Sequence, residues 1–161
     1  MDLNEHISPH FRLSEFLISQ TAVRHGIDMT PSDEVIANIT ALCEEVLEPF
    51  RKDIDSPIII SSGFRPEVLN KMIGGSETSA HKFGRAVDFR AIGMSPRAVC
   101  LHGRDMKLPY DQNIHEFGEW SHWGIAQLVS GNRFQDLTAF RKDGKVHYVV
   151  GIQRIEDLTN A

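Results

Sequence analysis

Ser79-Ala80-His81-Lys82-Phe83-Gly84-Arg85-Ala86-Val87-Asp88 sets the reading of this chain. It puts an imidazole in a loop, a glycine where the chain must turn, and a carboxylate on the extended segment after the turn. Residues 85–90 alternate, which predicts a strand with Val87 and Phe89 on one face and Ala86 and Asp88 on the other. With Val87 and Phe89 toward a core, Asp88 faces away, toward whatever lies beside His81. Downstream, Glu119-Trp120-Ser121-His122-Trp123-Gly124 offers a second imidazole and a carboxylate three positions before it. Gly124 shares a strand face with His122 and leaves room beside it. Two histidines and one carboxylate with an open fourth position are what a catalytic zinc ion uses. Each half alone is also what a structural hydrogen bond looks like.

Outward from that segment, Pro57-Ile58-Ile59-Ile60-Ser61 reads as a buried strand, and 66–73 as a short helix closed by Gly74-Gly75. Further upstream, Val35, Ile36, Ile39, Leu42, Cys43, Val46, Leu47 and Phe50 form a full helical stripe. Thr30 suits its N-cap, Pro31 its first position, and Asp33 supplies an early acid. Pro49 is expected to kink or end it. Residues 14–20 read as another short helix and 95–105 as a helix after Ser95-Pro96. A strand is expected from His122 to Leu128, and two more at about 134–141 and 145–152 around Asp143-Gly144. The sum is a small α+β domain spanning 1–161, with helices packed on a largely antiparallel sheet.

Composition narrows the function classes. The 161 residues are 41% hydrophobic and 24% charged, ordinary for a folded soluble chain and wrong for disorder. Seventeen basic against 22 acidic residues give a formal charge of −5, the opposite of a nucleic-acid footprint. Cys43 and Cys100 cannot build a disulfide framework or a cysteine-rich zinc site, and both read as reduced core residues. MDLNEHISPHFRLSEF has no basic start and no apolar run, so a signal peptide is not expected, and no stretch approaches a membrane span. Synthesis in a cytoplasm is the expectation.

Ser-x-His-x-x-Gly-x-Ala-x-Asp, followed by an acid-x-x-His beside a tryptophan, resembles the zinc peptidases of the M15 family. Those include D-Ala-D-Ala carboxypeptidases and phage L-alanyl-D-glutamate endolysins. Ser61-Ser62-Gly63-Phe64-Arg65-Pro66 resembles the family's Ser-Gly-Tyr-Arg segment, with Phe for Tyr. The match is to the compact phage or prophage branch and runs from Phe11 to about Gly151. It implies the M15/hedgehog-like zinc peptidase fold, with Zn2+ held by His81, Asp88 and His122. Glu119 matches the catalytic acid/base of the well-studied endolysins and carboxypeptidases, and Glu116 is the alternative usual in the phage branch. Arg65 corresponds to a residue that holds a substrate carboxylate or carbonyl oxygen, for which a planar guanidinium is well shaped. Ser79 corresponds to a residue that bonds substrate or orients the His81 loop.

The resemblance implies hydrolysis of amide bonds in the stem peptides of bacterial peptidoglycan, of L-Ala-D-Glu or D-Ala-D-Ala type. The enzyme would act at the cell wall during host lysis or after virion delivery, as a monomer without nucleic-acid or membrane partners. The competing class is a non-catalytic virion or tail module that keeps the fold to bind the wall. A serine hydrolase built from Ser79, His81 and Asp88 fails, because the serine has no nucleophile-elbow context. His115-Glu116-Phe117-Gly118-Glu119 is a near miss for the H-E-x-x-H zinc helix, with Glu119 at the fifth position and Gly118 weakening a helix. His115 is therefore read as an ordinary surface or sheet residue. His6, His10, His25, His102 and His147 receive no role, and Trp120 and Trp123 read as pocket wall or core.

Overall fold

The long apolar stripe is helical as its spacing dictates, and it forms the main layer over a six-stranded sheet. The computed structural model describes residues 3–127 and 131–160. Helix α1 spans Gln20–His25 and α2 spans Asp33–Leu42. A π-helical turn at Cys43–Leu47 leads into α3, Glu48–Ile54. Every residue of the stripe except Ile36 is buried. Pro49 does not end this helix. It has no N–H to offer the preceding turn, and its ring would press on the carbonyl four residues back. The turn before it widens instead, with the Glu48 N–H reaching the Cys43 carbonyl. The N-cap is Ser32, whose Oγ accepts from the Val35 N–H at 3.3 Å, and not Thr30. The Thr30 hydroxyl is spent on Asp28 Oδ1, 2.6 Å away. Residues 14–20 are likewise divided between a 3-10 turn at Leu13–Phe16 and the start of α1, capped by Ser19.

Strands β1 (Ile58–Ser62), β2 (Ala86–Ala91), β3 (Gln112–Glu116), β4 (Trp120–Gly124), β5 (Gln135–Lys142) and β6 (Lys145–Val150) lie in the order β1-β2-β4-β3-β5-β6. All neighbours are antiparallel except β3 and β5. The expected strand at 122–128 is therefore shifted toward the N-terminus; its last position, Leu128, lies outside the described residues. Two elements carry no clear sequence signal, β3 and the short α6 at Ile155–Thr159. Asp143 and Gly144, at φ 53° and 73°, make the tail hairpin turn that their sequence suggested. Helix α4 is Glu67–Met72 and α5 is Pro96–Asp105, capped by Ser95.

One sheet face is the core. Val87, Phe89 and Trp123 are fully buried, and the Phe50 and Phe89 rings each stand edge-on to Trp123 at 4.8 Å. Cys43 and Cys100 are free and fully buried; burial pushes both thiols well up, so they stay protonated and inert. Helix α5 approaches this face through Gly103, where an added Cβ would lie 2.4 Å from the Trp123 ring. Gly103→Ala should therefore cost about 1–3 kcal/mol through overpacking, read as a lower urea midpoint with unchanged slope. Period-2 alternation sends the intervening side chains, Asp88 and His122, to the opposite face.

Candidate metal centre

His81 sits in a 3-10 turn, Ala80–Phe83, that Gly84 closes at φ 68°. A Cβ at Gly84 would also press to 2.8 Å on the Val35 carbonyl, so only glycine seats this turn against α2. Asp88 and His122 are direct partners in the β2–β4 register. Turn and strands together bring His81 Nε2 to 3.2 Å from Asp88 Oδ1 and from His122 Nδ1, and His122 Nδ1 to 2.8 Å from Asp88 Oδ1. All three residues are buried.

The donor chemistry fits a metal ion. His81 Nδ1 lies 2.7 Å from the Gly63 carbonyl, which can only accept, so that nitrogen carries the proton and Nε2 presents a lone pair. Burial lowers the pKa of His81, keeping the ring neutral in spite of Asp88. Burial also opposes charge on Asp88, but the two histidines outweigh it and hold the carboxyl well below its usual range. For His122 burial pulls the value down, yet the Asp88 hydrogen bond and charge, aided by Glu116, raise it on balance. Three lone-pair atoms that face one another out of water need a cation between them. A proton satisfies one pair, whereas a divalent ion satisfies all three, and imidazole with carboxylate is a zinc donor set.

Arg65 stands behind the carboxylate. Its Nη2 donates to Asp88 Oδ2 at 2.6 Å and its Nε to Ser62 Oγ at 3.0 Å, leaving Oδ1 for the histidines. Outer partners of this kind orient metal ligands. Arg65→Lys cannot reach Asp88 and Ser62 together, so metal affinity should fall about 10–100-fold, measurable by competition with a chromophoric chelator.

The set opens on a cleft of about 850 Å3, also lined by Arg65, Ser79, Glu116, Trp120 and Tyr148. On β3, Gln112, Ile114 and Glu116 share the cleft face; Ile114 is opposite His122 and Glu116 opposite Trp120. Glu116 Oε1 lies 3.9 Å from His122 Nδ1, while Trp120 Nε1 donates to Oε2 at 2.8 Å. Burial raises the pKa of Glu116, against the pull of His122. Glu119 is placed elsewhere. Its side chain is 52% exposed against 15% for Glu116, and its Oε1 is 3.5 Å from Arg141 Nη1. The structure thus brings one of the two candidate acids to the donor set and leaves the other outside.

Ser79 immediately precedes the His81 turn at the cleft edge, and its side chain makes no capping hydrogen bond to it. His115 is a buried sheet residue, its Nδ1 donating to the Gln153 carbonyl at 3.0 Å. Trp120 is cleft wall and Trp123 core. Tyr148 went unremarked in the sequence, although Val146-x-Tyr148 alternation on β6 is the signal that puts it on the cleft side.

Closed structural zinc sites hold four protein ligands, whereas this set offers three and faces a solvent cleft beside a half-buried carboxylate, the arrangement that leaves a metal position open. The Peptidase M15 family model matches residues 9–124, a span containing Arg65, Ser79, His81, Asp88, Glu116 and His122, and the chain belongs to that family. No curated protein matches it. Membership makes the protein a peptidase of a generally zinc-dependent family, and the His81-Asp88-His122 set is the one able to hold the ion among the described residues.

Proposed function

We propose that the protein is a zinc peptidase that hydrolyses amide bonds in the stem peptides of bacterial peptidoglycan. The observation that carries this reading is a half-buried carboxylate, Glu116, held beside the His81-Asp88-His122 set on the wall of an open cleft. Zinc at that set would polarise the scissile carbonyl and bring the pKa of a water to about 7. Glu116 is the proton carrier. Trp120 fixes Oε2, so Oε1, on the His122 side, accepts the attacking water's proton and returns it to the departing amine. A carboxyl raised by burial is better matched to this two-way transfer than an exposed one. Arg65 keeps Asp88 aligned, and Ser79 offers a hydroxyl to the peptide at the cleft edge.

The bond is of L-Ala-D-Glu or D-Ala-D-Ala type, cut in an endolysin-like attack on the wall by a phage-type enzyme working as a monomer. A net charge of −5 is the opposite of a nucleic-acid footprint, so the proposed partner is the wall peptide. Zymography on purified cell walls tests the reading: a clearing band is expected, absent with chelator and restored by zinc. A protein that binds walls without clearing them in either condition is a non-catalytic wall-binding module.

A further inference from the structure

We propose that Arg85, together with Arg133, forms a carboxylate-binding subsite at the end of the cleft remote from Glu116. This rests on the peptidase reading and names the charged feature of the peptide that the cleft selects. The register places the subsite. Arg85 immediately precedes β2, and its carbonyl accepts the Ile125 N–H at 2.9 Å, just past β4. Asp111 immediately precedes β3 and donates its N–H to the Gly124 carbonyl at 2.7 Å. Arg85, Asp111 and Arg133 therefore gather at one end of the three central strands, all lining the cleft, while Glu116 pairs with Trp120 at the other end.

The charge balance at that end favours an anion. Arg133 occupies both oxygens of Asp111, Nε to Oδ1 at 2.9 Å and Nη2 to Oδ2 at 2.7 Å. That single carboxylate faces two guanidiniums. Among the described residues Arg85 has no ion pair, and its Nε is buried without a hydrogen-bond partner. Phe83 holds the group in place, its ring centroid 4.7 Å from Arg85 Cζ. A flat guanidinium that lines the cleft without a carboxylate of its own suits the paired oxygens of a carboxylate. Gly124 keeps the way open between subsite and metal set. An added Cβ there would lie 3.3 Å from the Arg85 carbonyl and 3.8 Å from His122 Nε2.

Distance sets which carboxylate is read. Arg85 is three residues from Asp88 along an extended chain, roughly 10 Å at strand rise. An extended peptide covers that span in about three residues. The group recognised is a free carboxyl two or three residues from the scissile amide, a feature that stem peptides carry and that amidation removes.

The test uses a synthetic stem tetrapeptide and versions with each carboxyl amidated singly. Their binding to the chelator-treated protein is read by calorimetry. At least one amidation should weaken binding about tenfold or more, the usual scale for a lost charged hydrogen bond. That difference should vanish in Arg85→Gln and shrink in Arg133→Gln, whose side chain is largely exposed and so a safe second variant. Thermal melts confirm that both variants fold. Discrimination that survives in Arg85→Gln, or is absent from the parent, overturns the subsite. Incubating the same peptides with the zinc-loaded protein tests the other reading separately: uncut peptides would remove the peptidase and leave the binding result standing.

Discussion

Glu116→Gln should retain its fold and its metal and lose about 10²-fold or more in turnover. Glutamine nearly reproduces the shape of glutamate and can still accept the Trp120 hydrogen bond that now ends on Oε2. What it cannot do is take a proton from water and hand it to the leaving amine. Glu119→Gln should be close to silent, since among the described residues its carboxylate has Arg141, at 3.5 Å, as its one charged partner, and the side chain is 52% exposed. Hydrolysis rate and bound zinc, measured for both variants side by side, check the assignment. If Glu119→Gln is the dead enzyme and Glu116→Gln the active one, the transfer runs outside the cleft geometry and this mechanism is wrong.

The second large effect belongs to Asp88. Asp88→Ala removes a donor from the set and leaves Arg65 without its carboxylate, so zinc affinity should fall by more than the roughly 10–100-fold of an outer-partner loss. The parent's affinity should itself depend on pH with a definite sign. The metal needs the lone pair of His122, and Asp88 with Glu116 raises that residue's hold on a proton. A raised value means that the proton competes from a higher pH than it would on a free imidazole. Affinity is therefore full well above the raised value and falls as pH drops through it. Titrating zinc across that range by calorimetry reads the onset; affinity that is flat through the histidine range removes His122 from the ligand set.

How much of this was legible depended on whether function and local pattern agreed. The Val87/Phe89 alternation gave Asp88 its outward face, and the stripe from Val35 to Phe50 gave the covering helix, because burial there needs only apolar side chains. Strand β3 breaks that rule. Asn113 and His115 are buried on the back face as polar residues, Asn113 because it accepts from Trp123 Nε1 at 2.7 Å and donates to the Cys100 carbonyl at 2.9 Å. A strand whose inner face is polar has no hydrophobic period to read, so Gln112–Glu116 gave no sign of itself. Without β3, the resemblance to the family's acid-x-x-His pattern favoured Glu119; with it, cross-strand pairing puts Glu116 on the cleft. Pro49, expected to kink or end its helix, disturbs it without ending it. Local chemistry asks the helix to stop, but Val46, Leu47 and Phe50 are all buried in one core, and the chain widens a turn to keep them there.

The masses of the digestion products decide whether His81, Asp88 and His122 form a catalytic zinc site. Purified peptidoglycan is incubated with protein stripped of metal by a chelator, then with the same protein after one equivalent of zinc is restored. No cleavage is expected from the stripped protein. On zinc addition, new free amines and carboxyls should appear at one stem-peptide bond, with His81, Asp88 and His122 each required. Stem peptides left intact by a chain that has bound its zinc, or cut equally well without it, would contradict zinc-dependent hydrolysis at this site.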